Sequence, residues 1–302
     1  MISRIRKYII LAAIVSLFFI WGCEHSSDDI PTGIPTDVPD LIESGWENFT
    51  NSDYEQAIID FSEASSRNAL AIEAYLGLGW SLMRDCQYNP AISNIYNVSS
   101  LINLGVVTDP DEIDRYNSES SACLVGAYQG LYPDDIGYYA PMVVENVNAT
   151  LTIDSNFVFT YDLDVNRQAL LVAKADAYYA LSQFVNSYYA ICEVADSVLL
   201  DLQFTEDDPI IVQTLFDSTT VLGYGRLTVP GVQLLDVTKV TDDASPDPIE
   251  YTVEGFEQAG TDITFFGVPI PQTGDIFLTT YYHTADYVVF LSELRALIDS
   301  YR

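Results

Sequence analysis

The sequence predicts an α+β protein in which a helical repeat array is followed by a small strand-rich region and a terminal helix. Two segments near the start of the array echo each other with a period of about 34 residues, which is typical of stacked helix pairs. After about Gly223 the pattern changes to short alternating strands separated by turn residues. Residues 285–301 again carry apolar side chains at helical spacing. We therefore expect a mainly helical region over residues 40–222 and a strand-rich region over residues 223–302.

Residues 1–22 are predicted to be a secretory signal peptide. A basic start with Arg4, Arg6 and Lys7 precedes an apolar run that is too short for a comfortable membrane span. The ending Ile20-Trp21-Gly22-Cys23 resembles a bacterial lipobox. This resemblance implies that Cys23 carries acyl chains such as palmitate and becomes the mature N-terminus. The alternative is a plain signal anchor with an incidental cysteine.

Residues 23–39 are predicted to be the lipidated cysteine and a flexible tether. The stretch is rich in Pro, Ser, Thr and Asp, and its three regularly spaced prolines oppose a continuous helix. Acyl chains on Cys23 would hold the protein at a membrane. Glu24 stands where an aspartate would resemble an inner-membrane retention signal. We therefore expect a lipid-anchored protein of the bacterial cell envelope, at the outer membrane rather than the inner.

The echo falls on residues that pack a pair of helices. Small residues allow two helices to approach closely, and the aromatic and apolar residues beside them fill the space between. The pairs related by this offset are Gly45-Trp46 and Gly79-Trp80, Tyr54 and Tyr88, and Ala57-Ile58 and Ala91-Ile92. This pattern resembles the tetratricopeptide repeat (TPR) family over about residues 40–101. The resemblance implies an array that binds other proteins.

In the TPR family the first helix of each pair lines the binding groove. The resemblance therefore implies that the partner-binding groove contains Trp46, Phe49, Trp80, Met83 and Arg84. Exposed aromatic residues of this kind often contact a bound peptide or helix. The alternative is that a neighbouring helix or a hairpin covers the tryptophans.

Weaker repeats follow the first two. We expect a third helix pair over residues 118–130 and 134–147, and a fourth over 167–184 and 187–200. Between them, alternating residues predict an inserted hairpin near 149–161. In the C-terminal region, the predicted strands span residues 226–229, 232–240, 249–256, 262–266 and 276–282.

Charge and composition narrow the range of functions. The formal net charge of −32 repels phosphate backbones, so nucleic acid is not an expected partner. Acidic residues cluster at 109–114 and 242–247, but neither cluster has the pattern of a calcium loop, and solvated loops are the favoured interpretation. No catalytic motif, metal site or cofactor site is predicted, so we do not expect an enzyme.

Two functional hypotheses remain from the sequence. The first is a membrane-anchored envelope lipoprotein whose TPR-like repeats bind an unknown protein partner as a scaffold or assembly factor. The second is a surface lipoprotein that binds a small molecule or a glycan. A shallow open groove favours the first hypothesis, whereas a deep cleft lined by tyrosines favours the second.

Overall fold

The computed structural model describes residues 37–302 except for 196–199, 201, 212, 216–223, 230–231, 243–247, 257 and 268–274. The signal peptide, Cys23 and almost all of the tether therefore lie outside the described residues. The α+β prediction is confirmed, because helices are followed by an antiparallel sheet and a final helix. Of the described residues, those up to Leu170 form one compact unit, and those from Leu171 onward form a second.

Among the described residues, eight helices precede the strands and one follows them. Their bounds are α1 Val38–Thr50, α2 Tyr54–Arg67, α3 Ile72–Arg84, α4 Tyr88–Asn103, α5 Pro110–Gly130, α6 Ile136–Ile153, α7 Arg167–Ala180, α8 Phe184–Ala195 and α9 Tyr287–Ser300. The last two residues of the predicted tether, Val38 and Pro39, already belong to α1, because Asp37 caps this helix and Pro39 lies in its first turn. Among the helices described, none is long and apolar enough to cross a bilayer.

The first unit is a stack of helix pairs. Each helix from α1 to α6 packs on its neighbour in sequence, and the first helices α1, α3 and α5 also contact one another in turn. A β-carbon added to Gly45 would lie 2.7 Å from the Phe61 ring, and one added to Gly79 would lie 2.6 Å from Ile95. Phe61 and Ile95 are themselves related by the offset of the repeat, so the sequence echo corresponds to a repeated packing contact.

The turn inside each of the first two pairs repeats as well. Ser52 and Cys86, which are related by the same offset, have φ values of 64° and 60°. In each turn the left-handed residue donates its N–H to a carbonyl three residues earlier, from Ser52 to Phe49 and from Cys86 to Met83. The two pairs are therefore alike in backbone conformation as well as in sequence.

The third pair begins earlier than predicted. Helix α5 starts at Pro110, and the Asp109 side chain caps it by accepting from the backbone N–H of Asp111. A β-carbon on Gly126 would lie 2.8 Å from the Met83 sulfur, so this glycine marks a close approach between α3 and α5. Part of the acidic cluster at 109–114 thus supplies the cap and first turn of a helix.

The inserted hairpin predicted near 149–161 is wrong. Residues 150–153 instead continue α6, and the Thr150 and Thr152 hydroxyls donate to the carbonyls of Asn146 and Asn148. Those hydrogen bonds let β-branched threonines remain helical despite their preference for strands. The turn predicted at residues 154–156 does form, and in it the Asp154 side chain accepts a hydrogen bond from the Asn156 N–H.

Within its described residues, the second unit contains a seven-stranded antiparallel sheet. Its strands are β1 Gln203–Ile211, β2 Gln213–Leu215, β3 Tyr224–Thr228, β4 Gln233–Asp242, β5 Glu250–Phe256, β6 Asp262–Phe266 and β7 Ile276–Thr284. They are ordered β1-β7-β4-β5-β6-β3-β2. The predicted boundary at residue 223 is therefore wrong, since strands begin at Gln203. Strand β1 contains Pro209 and lies at an edge of the sheet, where a missing N–H is tolerated.

Alternation along β4 separates two apolar clusters of the second unit. Leu234 packs with the cluster inside the sheet, which includes Phe265 and Phe277. The next residue, Leu235, packs instead with helices α7, α8 and α9. Asp176 on α7 also binds Arg295 on α9 at 2.7 Å, which fixes the terminal helix to this cluster.

Candidate functional site

The three aromatic residues predicted to line a partner-binding groove are buried. Trp46, Phe49 and Trp80 are only 5%, 2% and 0% exposed. They are covered by residues 157–161, which we call the covering segment. Tyr161 stacks on Trp46 with ring centroids 3.9 Å apart, and Phe159 stacks on Trp80 at 4.0 Å. The predicted exposure is corrected: of the two alternatives, the structure shows the covered one.

Met83 and Arg84 are also engaged within the chain. Met83 lies against Gly126 of α5, as described above. The Arg84 guanidinium forms an ion pair with Asp162, immediately after the covering segment. All five predicted groove residues therefore lie in one region, but they stabilise the array and hold the covering segment in place.

The covering segment lies on the array with alternate side chains turned inward. Phe157 and Phe159 are buried, whereas Val158 and Thr160 are exposed. Two backbone hydrogen bonds fix it to the residues that follow, from Phe159 N–H to the Val165 carbonyl at 2.9 Å and from Arg167 N–H to the Phe157 carbonyl at 2.8 Å. The strand-like pattern in the sequence thus reflects real alternation, although its partner is the helical array.

Next to the covering segment is a cleft of about 950 Å³. It is bounded by the first helices of three successive pairs, α1, α3 and α5, and by the end of the covering segment. The lining residues are Pro39, Ile42, Glu43, Trp46, Glu47, Thr50, Asn51, Glu73, Arg115, Glu119, Thr160 and Tyr161. The first helices therefore do border a cleft, as the repeat pattern predicts, although most of its lining residues differ from the predicted set.

A polar network forms one wall of this cleft. Glu73 on α3 accepts hydrogen bonds from Trp46 Nε1 at 3.0 Å, from Arg115 Nη2 at 2.9 Å and from the Tyr116 hydroxyl at 2.9 Å. Arg115 also donates to Glu119, one turn further along α5, at 3.0 Å. The network joins the first helices of all three pairs, so it fixes the cleft wall.

Burial changes the proton affinity of several groups in this wall. Burial raises the pKa of Glu119 to about 7, with a contribution from Glu73 and against the opposing effect of Arg115. Burial alone would lower the pKa of Arg115, but Glu73 and Glu119 raise it above its ordinary value. Burial together with Glu73 and Glu119 raises the pKa of Tyr161. Arg115 is therefore charged at every pH of interest, whereas Glu119 titrates near neutrality.

Apart from Trp46, the residues of this network were missed by sequence reasoning: Glu73, Arg115, Tyr116 and Glu119. Glu73 and Arg115 are 42 residues apart and do not follow the period of the repeat. One signal was present in the sequence: Asp109-Pro110 is typical of a helix start, and a helix beginning there places Arg115 and Glu119 four residues apart on one face. Nothing in the pattern marks Glu73 as the partner of that pair.

The acidic clusters do not come together as a metal site in the part of the chain that the structure describes. No group of three or more potential metal-ligating side chains occurs there. Asp243 and Asp247, from the second cluster, lie outside the described residues.

Comparison with known proteins gives a distant structural likeness. No family model and no curated protein matches the sequence. Among solved structures, the chain is similar to one titled "MamA RS-1 ArsTM double mutant", with 13% sequence identity and a TM-score of 0.40. The matched region covers 53% of this chain and 74% of that chain.

Proposed function

We propose that this protein is a membrane-anchored lipoprotein of the bacterial cell envelope whose helical repeats bind a partner protein as a scaffold or assembly factor. The observation that carries the proposal is the cleft bordered by α1, α3 and α5, beside a groove that already holds polypeptide. The covering segment is a stretch of the chain's own backbone lying across the first helices, with alternate side chains inserted between them.

An open surface of this kind suits a polypeptide ligand. The covering segment fills the part of the face over Trp80, while the cleft begins where Tyr161 meets Trp46. A partner segment lying in the cleft would continue the path of the covering segment across α1. Such peptide recognition by a preformed groove costs little rearrangement of the array.

The anchor is proposed from the sequence. Cys23 would carry the acyl chains, and the proline-rich tether would separate the array from the membrane. Labelling with a lipid precursor tests this part separately: the full chain should incorporate label, and Cys23→Ser should abolish incorporation. Equal labelling of both would contradict the anchor without affecting the binding proposal.

The binding proposal can be tested by crosslinking in intact envelopes. Trp46 and Trp80 are buried, so replacing them would test stability rather than binding. Thr50 is exposed and lines the cleft. Thr50→Trp should obstruct one end of the cleft and abolish capture of the protein that crosslinks to the unaltered chain.

Ser93 offers a matched control, because it is exposed on α4 and does not line the cleft. Ser93→Trp adds the same bulk and should capture the partner normally. If Thr50→Trp captures as much protein as Ser93→Trp, partner binding in the cleft is wrong. If no protein crosslinks at the cleft but a glycan or another small molecule binds there, the second hypothesis is favoured instead.

A further inference from the structure

The cleft beside the covering segment combines negative charge with an aromatic wall. Four carboxyl groups line it, from Glu43, Glu47, Glu73 and Glu119, against the single guanidinium of Arg115. Arg115 is bound by two of these carboxyl groups, whereas Glu43 and Glu47 are exposed at the rim, one helical turn apart on α1. An incoming cation would therefore meet Glu43 and Glu47 first.

The aromatic wall favours the same class of ligand. Tyr161 lies face to face with Trp46, with an interplanar angle of 1°. Trp46 covers one face of the Tyr161 ring, and Tyr161 as a residue is partly exposed and borders the cleft. A cation over an aromatic face is attracted by the ring quadrupole, and carboxylates nearby add to this attraction.

The dimensions of the cleft fit a length of polypeptide. Its lining runs from Pro39 in α1 to Asn51, the residue that caps the end of this helix, which at the helical rise corresponds to roughly 18 Å. An extended chain covers that distance with roughly five residues. The adjoining face already accepts alternate side chains of the covering segment, so a second extended segment has a structural precedent in the same unit.

We propose that the cleft binds an extended segment of the partner protein rich in lysine or arginine, whose basic side chains lie between Tyr161 and the carboxylates of Glu43 and Glu47. This inference rests on the proposed function and specifies the chemistry of its partner. Complementary charge speeds encounter with a basic segment and disfavours an acidic one, so it supplies selectivity as well as affinity.

Binding of defined peptides to the full chain, purified in a non-ionic detergent, tests the inference. The probe is a short fluorescent peptide in which lysine alternates with serine, compared with peptides carrying norleucine or glutamate in place of lysine. The lysine peptide should bind and the other two should not. Glu43→Gln combined with Glu47→Gln should weaken its binding about tenfold at low salt, because the rim charges are lost.

A matched pair of substitutions controls for net charge. Glu112 and Glu145 are exposed on α5 and α6 and do not line the cleft. Glu112→Gln combined with Glu145→Gln should change peptide affinity less than about twofold, since only long-range charge is altered. Equal weakening by both pairs would show diffuse attraction to an acidic surface and would overturn the proposal.

Tyr161 tests the aromatic contribution. Tyr161→Leu should weaken binding of the lysine peptide about three- to tenfold. The Tyr161→Phe variant should bind the peptide more tightly than the Tyr161→Leu variant, because a ring face is restored.

If spermidine alone binds as tightly as the peptide, the cleft holds a small organic cation and the peptide assignment is wrong. If Thr50→Trp abolishes partner capture while the Glu43 and Glu47 substitutions do not affect it, the proposed function stands and only the basic-segment chemistry fails.

Discussion

Glu119 is a carboxyl group buried in the wall of the cleft, and Arg115 and Glu73 act on its charge. Arg115 on its own helix, Glu73 on α3 and Tyr161 of the covering segment are the charged and titratable groups that face it. Burial shifts its pKa from an ordinary 4.5 to about 7. The folded protein therefore holds a proton at Glu119 in a pH range where the unfolded chain has released it.

This shift predicts a pH dependence of stability. A carboxyl whose pKa is raised on folding stabilises the protein fully below its unfolded pKa, and this stabilisation is lost as the pH rises through 7. The loss attributable to Glu119 should be about 3 kcal/mol between pH 4.5 and 8. The side chain of the Glu119→Gln variant stays neutral at every pH. Its free energy of unfolding, measured in urea, should therefore increase relative to that of the unaltered protein as the pH rises.

Glu112→Gln, on the exposed side of the same helix, is the control for this measurement. Its stability difference from the unaltered protein should stay nearly constant across the same pH range. A Glu119→Gln difference that is equally constant would mean that Glu119 is ionised in the folded protein, and that the raised pKa is wrong.

At the scale of elements, the covering segment is the part of the first unit most dependent on a few contacts. Phe159 is fully buried and lies near Trp46, Phe49 and Trp80 at once. Phe159→Ala should therefore lower the free energy of unfolding by about 3–5 kcal/mol, through lost burial and a cavity beneath the segment. Urea unfolding followed by circular dichroism measures this loss.

Leu163 provides the comparison, because it lies just after the segment and is 69% exposed. Leu163→Ala should change stability by less than about 0.5 kcal/mol. Similar, small losses for both substitutions would mean that the covering segment is not packed on the array as described.

Elements defined by local signals could be predicted from the sequence, and those that depend on distant partners could not. The repeat contacts of Gly45 and Gly79 follow a period that is visible in one dimension, and the terminal helix has its own apolar face. Thr150 and Thr152 suggested a strand because threonine is common in strands. That preference is weak compared with the packing that continues α6, so the prediction failed. The network of Glu73 and Arg115 depends on how three helix pairs stack, which no local pattern encodes.

On the scale of the whole molecule, the dominant property is a formal net charge of −32. Like charges on a folded surface repel one another more than in an expanded chain, so the acidic surface opposes the compact state. Salt screens this repulsion, with a Debye length of about 10 Å at 0.1 M. The surface charge should therefore make stability depend on ionic strength.

We expect sodium chloride to stabilise the protein at pH 8. The free energy of unfolding should rise by about 1–2 kcal/mol between 20 mM and 0.5 M salt, as repulsion is screened. Potassium chloride should act equally, since screening depends on ionic strength and not on the identity of the monovalent cation. A decrease with salt would indicate that ion pairs such as those of Arg115 outweigh the repulsion.

The stacking of Tyr161 on Trp46 also gives the cleft an optical reporter. The sequence contains three tryptophans, and Trp46 and Trp80 are the two in the helical array. The Trp46 indole lies beneath Tyr161 and donates to Glu73, while Trp80 lies beneath Phe159. Movement of the covering segment would expose both indoles to water and shift their emission to longer wavelengths. A ligand that occupies the cleft without moving the segment would alter the Trp46 environment alone, so intrinsic fluorescence can distinguish the two events without any added label.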